Sequence, residues 1–278
     1  MTALQKAADL AAAVLHGLGR RIDRFGTYAF LDARQGELGG VAPLDLGSAV
    51  RAYAAARPDM TFVQIGAHEG GEADPLGECI RALRLRGVLV EPQPGPFARL
   101  QAVHADQPQL SFERAAVAAA SGVARFYRAD PAFWRRHGLH PGSDGEIASL
   151  RPEQIRFHVA LFGGEALAAR EAEYLVCDEV PALSLPDLLA KYQLPRPDLL
   201  QIDAEGFDYE ILKMVDWSQP PPLIHFETVH LREADRIAAW ELLRGHAYRL
   251  YATDSYNTLA IGAVDRAAGA LAESAASA

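Results

Sequence analysis

Two hydrophobic patterns alternate along this chain. Short continuous apolar runs predict buried strands at 61–66, 87–91, 111–118, 123–128, 174–180, 199–203, 223–227, 247–252 and 258–262. Apolar residues spaced three or four apart predict helices at 3–22, 45–57, 74–85, 95–105, 152–171, 207–215 and 231–244. Strands that alternate with helices are typical of a mostly parallel sheet with helices on both faces. In such sheets, ligands bind beyond the carboxyl ends of the strands.

Several residues predict where the chain turns or where a helix begins and ends. Ser121 and Gly122 lie between two predicted strands and favour a hairpin turn. Ser184 and Asp187 have the spacing of a helix capping box. Gly245 follows a predicted helix at a position where a left-handed residue commonly ends the helix.

The pattern divides the chain into three segments. We expect an N-terminal helical segment at 1–58 and a main domain at 59–262. Residues 130–173 break the alternation with turns, cations and an aromatic residue, which indicates an insertion or lid over the core. Residues 263–278 are rich in alanine and poor in large apolar residues, so we expect a flexible tail.

Composition narrows the class of protein. Half of the 278 residues are hydrophobic, and the net charge of −9 argues against a nucleic-acid partner. Cys79 and Cys177 have no metal-binding or redox spacing, which favours a reducing compartment. No apolar run is long enough to cross a membrane, and the first residues lack a signal-peptide core. We therefore expect a cytoplasmic protein without membrane insertion, and no pattern predicts its oligomeric state.

Residues 62–71 predict a buried strand that runs into a glycine-rich turn. The glycine spacing lacks the G-x-G-x-x-G fingerprint of dinucleotide sites. Gly66 and Gly71 match half of a P-loop, but Glu72 stands where the phosphate-binding lysine belongs. Glu69 and Glu72 would repel phosphates and suit a cationic ligand such as S-adenosylmethionine. The alternative is a glycine-rich turn that binds no ligand.

Polar residues follow the predicted strands at the edge where a ligand is expected. Glu91 ends the second strand of the unit, where a carboxylate can accept hydrogen bonds from ribose hydroxyls, although it could also be a surface acid. The strand-end groups are Gly66-Ala67-His68, Glu91-Pro92, Ala116-Val117, Asp203-Ala204-Glu205-Gly206 and Glu227-Thr228. Ala116 either lines an adenine or is a plain strand residue.

Acids at two later strand ends suggest catalytic chemistry. Asp203 and Glu227 could together hold one divalent cation, Mg²⁺ or Mn²⁺, that acidifies a substrate hydroxyl. Alternatively, Asp203 and Glu205 accept hydrogen bonds from backbone amides at a helix start. His230 could accept the hydroxyl proton, because a histidine titrates near neutral pH, or it could cap or pack a helix.

Six sequence blocks resemble the FkbM family of S-adenosylmethionine-dependent methyltransferases. The blocks occur in the family's order and are VQIGAHEG (63–70), GVLVEPQPGPFARL (87–100), ERAAVA (113–118), LSLPDLL (183–189), DLLQIDAEGFDYEILK (198–213) and IHFETVHL (224–231). The resemblance implies an α/β, Rossmann-like class I methyltransferase fold, whose seven-stranded, mostly parallel sheet has an antiparallel last strand. It also implies methylation of a hydroxyl group on a sugar or secondary metabolite.

The resemblance implies roles for particular residues. The cofactor contacts are expected at Gln64, Gly66, Ala67, His68, Glu91, Pro92, Ala116 and Asp203, and the catalytic groups at Asp203, Glu227 and His230. Gln64 is a departure, because class I enzymes often carry an acid two residues before the first glycine. The acids resemble those of catechol-type O-methyltransferases. Trp134 in the insertion is either core or a surface that stacks on a sugar ring.

Three functions compete on these residues. The leading hypothesis is an S-adenosylmethionine-dependent O-methyltransferase that acts on a small-molecule or glycan acceptor. A nicotinamide-dependent oxidoreductase is disfavoured by the missing dinucleotide fingerprint. A non-catalytic ligand-binding protein on the same fold is disfavoured by the acids at the strand ends, which are costly to bury without a role.

Overall fold

The computed structural model of the protein describes residues 44–71, 74, 76–139, 147–254, 256–263 and 267–269. The predicted helix at 3–22 lies outside these residues. In chain order the elements are α1 (Leu46–Ala56), β1 (Thr61–Ile65), α2 (Gly77–Leu83), β2 (Arg86–Val90), α3 (Pro94–Val103), β3 (Leu110–Glu113), β4 (Ala116–Val117), β5 (Gly122–Ala129), α4 (Pro131–Arg136), β6 (Ala148–Ser149), α5 (Pro152–Gly163), α6 (Glu165–Ala168), a 3₁₀ turn (Glu171–Glu173), β7 (Leu175–Leu183), α7 (Leu185–Lys191), β8 (Leu199–Ile202), α8 (Asp208–Leu212), β9 (Leu223–Glu227), α9 (Glu233–Gly245), β10 (Tyr248–Ala252) and β11 (Asn257–Gly262).

A seven-stranded sheet forms the centre of the molecule. Its strand order is β10-β11-β9-β8-β1-β2-β3, and only β11 runs antiparallel to its neighbours. This confirms the predicted mostly parallel sheet with an antiparallel last strand. Ile65 of β1 is level with Val90 of β2 and with Ile202 of β8. The residues that follow these three strands therefore leave the sheet at the same edge.

The central strands are continuous apolar runs because both faces of the sheet are covered. Every residue of β1, β8 and β9 is buried. Side chains alternate between the faces, so Val63 and Ile65 join one hydrophobic cluster and Phe62 joins the other. The two clusters hold the sheet rigidly, and this rigidity positions the strand ends.

A second sheet, of four strands, has the order β4-β7-β5-β6. The hairpin predicted at Ser121 and Gly122 is wrong, because β7 lies between β4 and β5. The predicted strand 111–118 is divided into β3 and β4, and only two residues of β4 pair with β7. The β5–β7 ladder extends over eight residue pairs, so it outweighs any pairing of β5 with the short β4.

The described residues of the segment predicted as an insertion, 130–139 and 147–173, contribute to a third hydrophobic cluster. Phe133, Trp134, Ile155, Val159 and Tyr174 are all buried in it. Trp134 is 8% exposed and contacts the edge of Phe133, with ring centroids 5.7 Å apart. Trp134 is therefore a core residue and not a surface for stacking on a sugar.

Helix ends follow the predicted signals in one case and depart from them in another. Ser184 caps α7, since its side chain accepts a hydrogen bond from the Asp187 amide at 3.2 Å. Gly245 still belongs to α9, and Ala247 takes the left-handed conformation with φ 61°.

Ala268, which lies in the predicted tail, is fully buried in the second hydrophobic cluster. None of the helices in the described residues is long and apolar enough to cross a membrane.

Candidate active site

The glycine turn after β1 packs directly against the backbone that follows β8. Gly66 has φ +79°, and a Cβ atom on it would lie 1.8 Å from the carbonyl oxygen of Asp203. The amides of Gly66 and Ala67 both donate to the carbonyl oxygen of Val90 at 3.0 Å. Glycine is therefore required here by contacts within the protein, in addition to any need to approach a ligand.

Glu91 is a buried carboxylate held by the main chain. It is 3% exposed; one oxygen accepts a hydrogen bond from the amide of His68 at 3.0 Å and the other from that of Gln93 at 2.8 Å. Burial raises the pKa of Glu91 to about 7, although these two hydrogen bonds act to lower it. Each carboxylate oxygen can accept a further bond, so the group can hold a pair of hydroxyls.

Gln64 stands two residues before the first glycine of the turn, and its side chain forms a hydrogen bond with an acid from a later segment of the chain. Its side-chain amide donates to Asp74 at 3.0 Å, and Asp74 also accepts from the amide of Leu76. Among the described residues, Gln64 Oε1, Asp74 Oδ2 and both ring nitrogens of His104 are buried without a hydrogen-bond partner. Burial raises the pKa of Asp74 and lowers that of His104. Buried polar atoms without partners are candidates for hydrogen bonds to a bound ligand.

The sequence interpretation missed Asp74 and His104. Neither belongs to a recognisable motif, and His104 lies 30 or more positions beyond Gln64 and Gly70 in the chain. A Cβ atom on Gly70 would lie 2.9 Å from His104 Nε2, so the second glycine of the turn leaves room for this ring. The structure shows, as the sequence does not, that the His104 ring lies against Gly70 of this turn.

Ala116 and Pro92 are buried near the same edge. Ala116 is 3% exposed, is level with Ala182 of β7 and packs in the cluster that includes Phe126 and Val180. This matches its interpretation as a strand residue; contact with an adenine remains a prediction. Pro92, which directly follows Glu91, is buried as well.

A cluster of acids and histidines lies at the ends of β8 and β9. These strands are neighbours, with Ile202 level with Phe226, so the residues after them leave the sheet at one edge. His230 Nδ1 lies 2.7 Å from Glu227 Oε2 and 2.9 Å from Glu205 Oε2. The contact with Glu227 is a hydrogen bond, whereas Glu205 Oε2 is buried and has no hydrogen-bond partner among the described residues.

His158 from the insertion completes this cluster, and the sequence interpretation missed it. It lies on α5, is 6% exposed, and its Nδ1 is 2.9 Å from the carbonyl oxygen of Gln154. A carbonyl oxygen only accepts, so Nδ1 carries the proton and Nε2 presents a lone pair. That Nε2 lies 3.1 Å from Nε2 of His230. The two histidines are 72 positions apart, so no spacing pattern could reveal the pair.

The hydrogen-bond directions define the protonation of this cluster in the absence of a ligand. His230 then donates from Nδ1 to Glu227 and from Nε2 to His158, so both of its ring nitrogens carry protons. Burial acts to lower the pKa of His230, but the charge of Glu227 and contacts with Glu205 outweigh it and raise the pKa to about 11. Burial lowers the pKa of His158. His230 therefore has no free nitrogen for a substrate proton.

Asp203 and Asp208 differ in their exposure. Asp203 is an exposed residue, although the protein around its carboxyl group desolvates that group and so raises its pKa, as do the charges of Glu227 and Glu205. Asp208 is fully buried and accepts hydrogen bonds from the amides of Ala204 and Glu227 at 3.4 and 3.3 Å. Asp208 thus ties the ends of β8 and β9 together, while Asp203 is exposed at the same edge of the sheet.

The expected cation ligands are only partly brought together. Within the described residues, the group of three that could hold a metal ion is His158, Glu205 and His230, whose ligand atoms lie within 4.8 Å of one another. Glu227 contacts this group through His230, and Asp203 is not a member. The cation predicted at Asp203 and Glu227 stays a prediction.

The sheet, the glycine turn and the carboxylate at the end of β2 are consistent with a methyltransferase-like fold. The family model of the methyltransferase FkbM domain matches residues 64–250, so the chain belongs to the FkbM methyltransferase family. Methyltransferase FkbM from Methylobacillus flagellatus KT, a solved structure, is similar at 12% identity and a TM-score of 0.42. The match covers 73% of this chain and 44% of that protein. No curated protein matches the chain.

Proposed function

We propose that this protein transfers the methyl group of S-adenosylmethionine to a hydroxyl group of a sugar or secondary metabolite. The observation that carries the proposal is Glu91, a buried carboxylate held by two backbone amides beside the glycine turn. It lies at the same sheet edge as the acids after β8 and β9. At one edge of the seven-stranded sheet, residues that can bind a nucleoside therefore lie beside a group of acids.

The residues present fit the cofactor at both ends. Glu91 can accept hydrogen bonds from the two ribose hydroxyls, with Ala67, His68 and Pro92 adjacent to it. At the other end, the buried oxygens of Gln64 and Asp74 lack partners and can accept hydrogen bonds from an ammonium group. Asp74 thereby supplies the negative charge that Gln64 does not. Ala116 and the Asp203 backbone border the same edge.

S-adenosylmethionine, when bound, supplies an electrophilic methyl group. The acceptor oxygen would form its new bond to the methyl carbon as the carbon–sulfur bond breaks and the neutral thioether leaves, and the hydroxyl proton would pass to a base. Asp203 is the carboxylate of this edge that stays open to solvent, so it is placed to take the proton or to orient the hydroxyl. His230, expected as the base, is engaged at both nitrogens, and Glu227 positions its ring.

The insertion contributes to the acceptor side in this proposal. Gln154 and His158 of α5 reach the main sheet, where the Gln154 amide donates to the His230 carbonyl at 3.3 Å. Arg151 is 3.4 Å from Glu210 and from Asp235, which fastens the start of α5 to the domain. Specificity for the acceptor would then depend on the insertion. We place the reaction in the cytoplasm, where the unpaired Cys79 and Cys177 would remain reduced.

Calorimetry with S-adenosylmethionine tests the cofactor assignment. Glu91→Gln keeps the shape of the side chain but replaces one acceptor oxygen with a donor, so the affinity should fall about 10- to 100-fold, the range for a lost charged hydrogen bond. Glu179→Gln, an exposed acid on β7, is the matched control and should leave affinity unchanged. Unchanged affinity in folded Glu91→Gln would refute the assignment. A screen of sugars and secondary metabolites with labelled methyl donor tests turnover.

A further inference from the structure

Three side chains from separate segments present ligand atoms to one small volume. His158 comes from the insertion, Glu205 follows β8 and His230 follows β9. Their ligand atoms lie within 4.8 Å of one another. Ligands on opposite sides of an ion with bonds of about 2.1 Å are about 4.2 Å apart. A small rotation of one side chain would therefore bring all three within coordinating distance.

The two imidazole rings already have the orientation that metal ligands need. Each ring uses Nδ1 for an outer hydrogen bond, His158 to the Gln154 carbonyl and His230 to Glu227. Such bonds set the tautomer and the direction of metal-binding histidines. The two Nε2 atoms then face each other at 3.1 Å. Adjacent ligands of one ion with bonds of about 2.1 Å are separated by about 3.0 to 3.4 Å, so two nitrogens that share a hydrogen bond in the metal-free protein also have the spacing of two ligands of one ion.

Glu205 provides a second, independent indication. Its Oε2 is buried and has no donor of its own, because it lies 2.9 Å from His230 Nδ1, whose proton is donated to Glu227. The backbone of Glu205 is left-handed, with φ 49°, and its carbonyl accepts from the Ser149 hydroxyl at 2.8 Å. A non-glycine residue in this conformation must be held there by its surroundings. The arrangement keeps a carboxylate oxygen without a donor of its own beside the His230 ring.

We propose that His158, Glu205 and His230 bind one divalent transition-metal ion through two imidazole nitrogens and one carboxylate oxygen, and that the Nε2 proton of His230 is released to solvent as the ion binds. This donor set suits zinc, cobalt, iron and nickel better than magnesium, which prefers oxygen ligands only. Glu227 then acts through His230 and not as a ligand. Three protein ligands leave a coordination position for an acceptor oxygen. That last role rests on the proposed methyl transfer, whereas the metal site itself does not.

Cobalt binding to the full chain tests the site directly. Protein stripped with a chelator is titrated with Co²⁺ while the visible d–d absorption is recorded. We expect one ion per chain, displacement by Zn²⁺, and no displacement by a comparable concentration of Mg²⁺. His158→Ala and Glu205→Gln should each weaken binding at least about 100-fold. His246→Ala is the matched control, because His246 stacks on Trp217 at 4.2 Å outside the cluster, and it should bind like wild type.

A measurement on the unmodified protein covers the case in which a variant fails to fold. One equivalent of Zn²⁺ should shift the NMR signals of the His158 and His230 rings and leave those of His246 in place. Absence of stoichiometric Co²⁺ binding, or wild-type binding by both folded variants, would overturn the proposal. S-adenosylmethionine affinity, measured by calorimetry on the same metal-free protein, tests the proposed function separately, since its cofactor contacts do not include the metal ligands.

Discussion

The two halves of the candidate active site are built in different ways. Beside β1 and β2, the site consists of a glycine turn and of Glu91, which is bonded to main-chain amides a short distance away in sequence. Beside β8 and β9, it consists of side chains from three separate segments, one of them the insertion. The first half is therefore a property of one β-α-β unit, whereas the second is complete only where α5, which carries His158, packs beside the residues that follow β8 and β9. Substitutions in the glycine turn should affect both halves of the site, whereas substitutions in the acid–histidine cluster should affect only the half beside β8 and β9.

The largest loss of stability is expected from Gly66→Ala, because Gly66 packs against the Asp203 backbone and so joins the two halves of the site. The added Cβ atom would lie 1.8 Å from the Asp203 carbonyl, and the positive φ adds strain, so we expect a loss of about 3–5 kcal/mol in the free energy of unfolding. Gly138→Ala is the control, because Gly138 has φ +64° but nothing within 4 Å of a Cβ atom, and it should lose only about 1–2 kcal/mol. Urea unfolding measures both; equal losses would show that the contact is not important.

Asp203→Asn should lower the rate of methyl transfer much more than the affinity for S-adenosylmethionine, and this difference would distinguish the two halves of the site. Loss of the charge should lower kcat about 10²- to 10⁴-fold, the range for loss of a positioned acid–base group. The dissociation constant of S-adenosylmethionine should change far less, because the nucleoside contacts remain. Steady-state kinetics with labelled methyl donor, combined with calorimetry, checks both values. Full activity in this variant would exclude a catalytic role for Asp203.

Cofactor affinity should depend on pH through Glu91. Its pKa is raised to about 7 by burial, and hydroxyl donors favour the ionised form. Affinity should therefore be constant above pH 7 and fall by up to about tenfold per pH unit below it, since binding must then release a proton. Glu91→Gln should bind more weakly with a flat profile, as calorimetry from pH 5.5 to 8.5 would show. A flat wild-type profile would contradict the role of this carboxylate.

The raised pKa of Glu91 should make folding stability change with pH in the opposite direction to cofactor affinity. The folded-state pKa of Glu91 lies above its ordinary value of 4.5, so the folded protein binds the proton more tightly than the unfolded chain does. Its contribution to stability should be complete below about pH 4.5 and should be lost as pH rises towards 7. Urea unfolding of wild type and Glu91→Gln over this window measures the difference.

The smallest effect is expected from Arg151→Ala, which loosens the attachment of the insertion. Arg151 is partly exposed, pairs with Glu210 and Asp235 at 3.4 Å, and lies over the Phe207 ring at 5.8 Å. Partly exposed pairs of this kind contribute about 0.5–1 kcal/mol. Amide exchange in α5 should become faster while exchange in β1 stays unchanged. Equal acceleration in both elements would mean that the insertion is not an independent unit.

The sequence alone determined the main sheet and the cofactor half of the site. Continuous apolar runs such as Phe62 to Ile65 are typical of parallel strands covered on both faces, and the strand-end rule then placed Gly66 and Glu91 at one edge. These inferences succeed because their causes are local: a buried strand, a turn that needs glycine, and an acid that ends the next strand.

Only the tertiary structure decided the second sheet and the acid–histidine cluster. β7 separates β4 from β5, a long-range pairing that the local turn signal at Ser121 and Gly122 does not reveal. His158 meets His230 across 72 positions, and Asp74 replaces the charge absent at Gln64 through a side-chain bond. Such contacts leave no periodic trace in the chain, because they depend on how separately formed elements pack and not on the preferences of neighbouring residues.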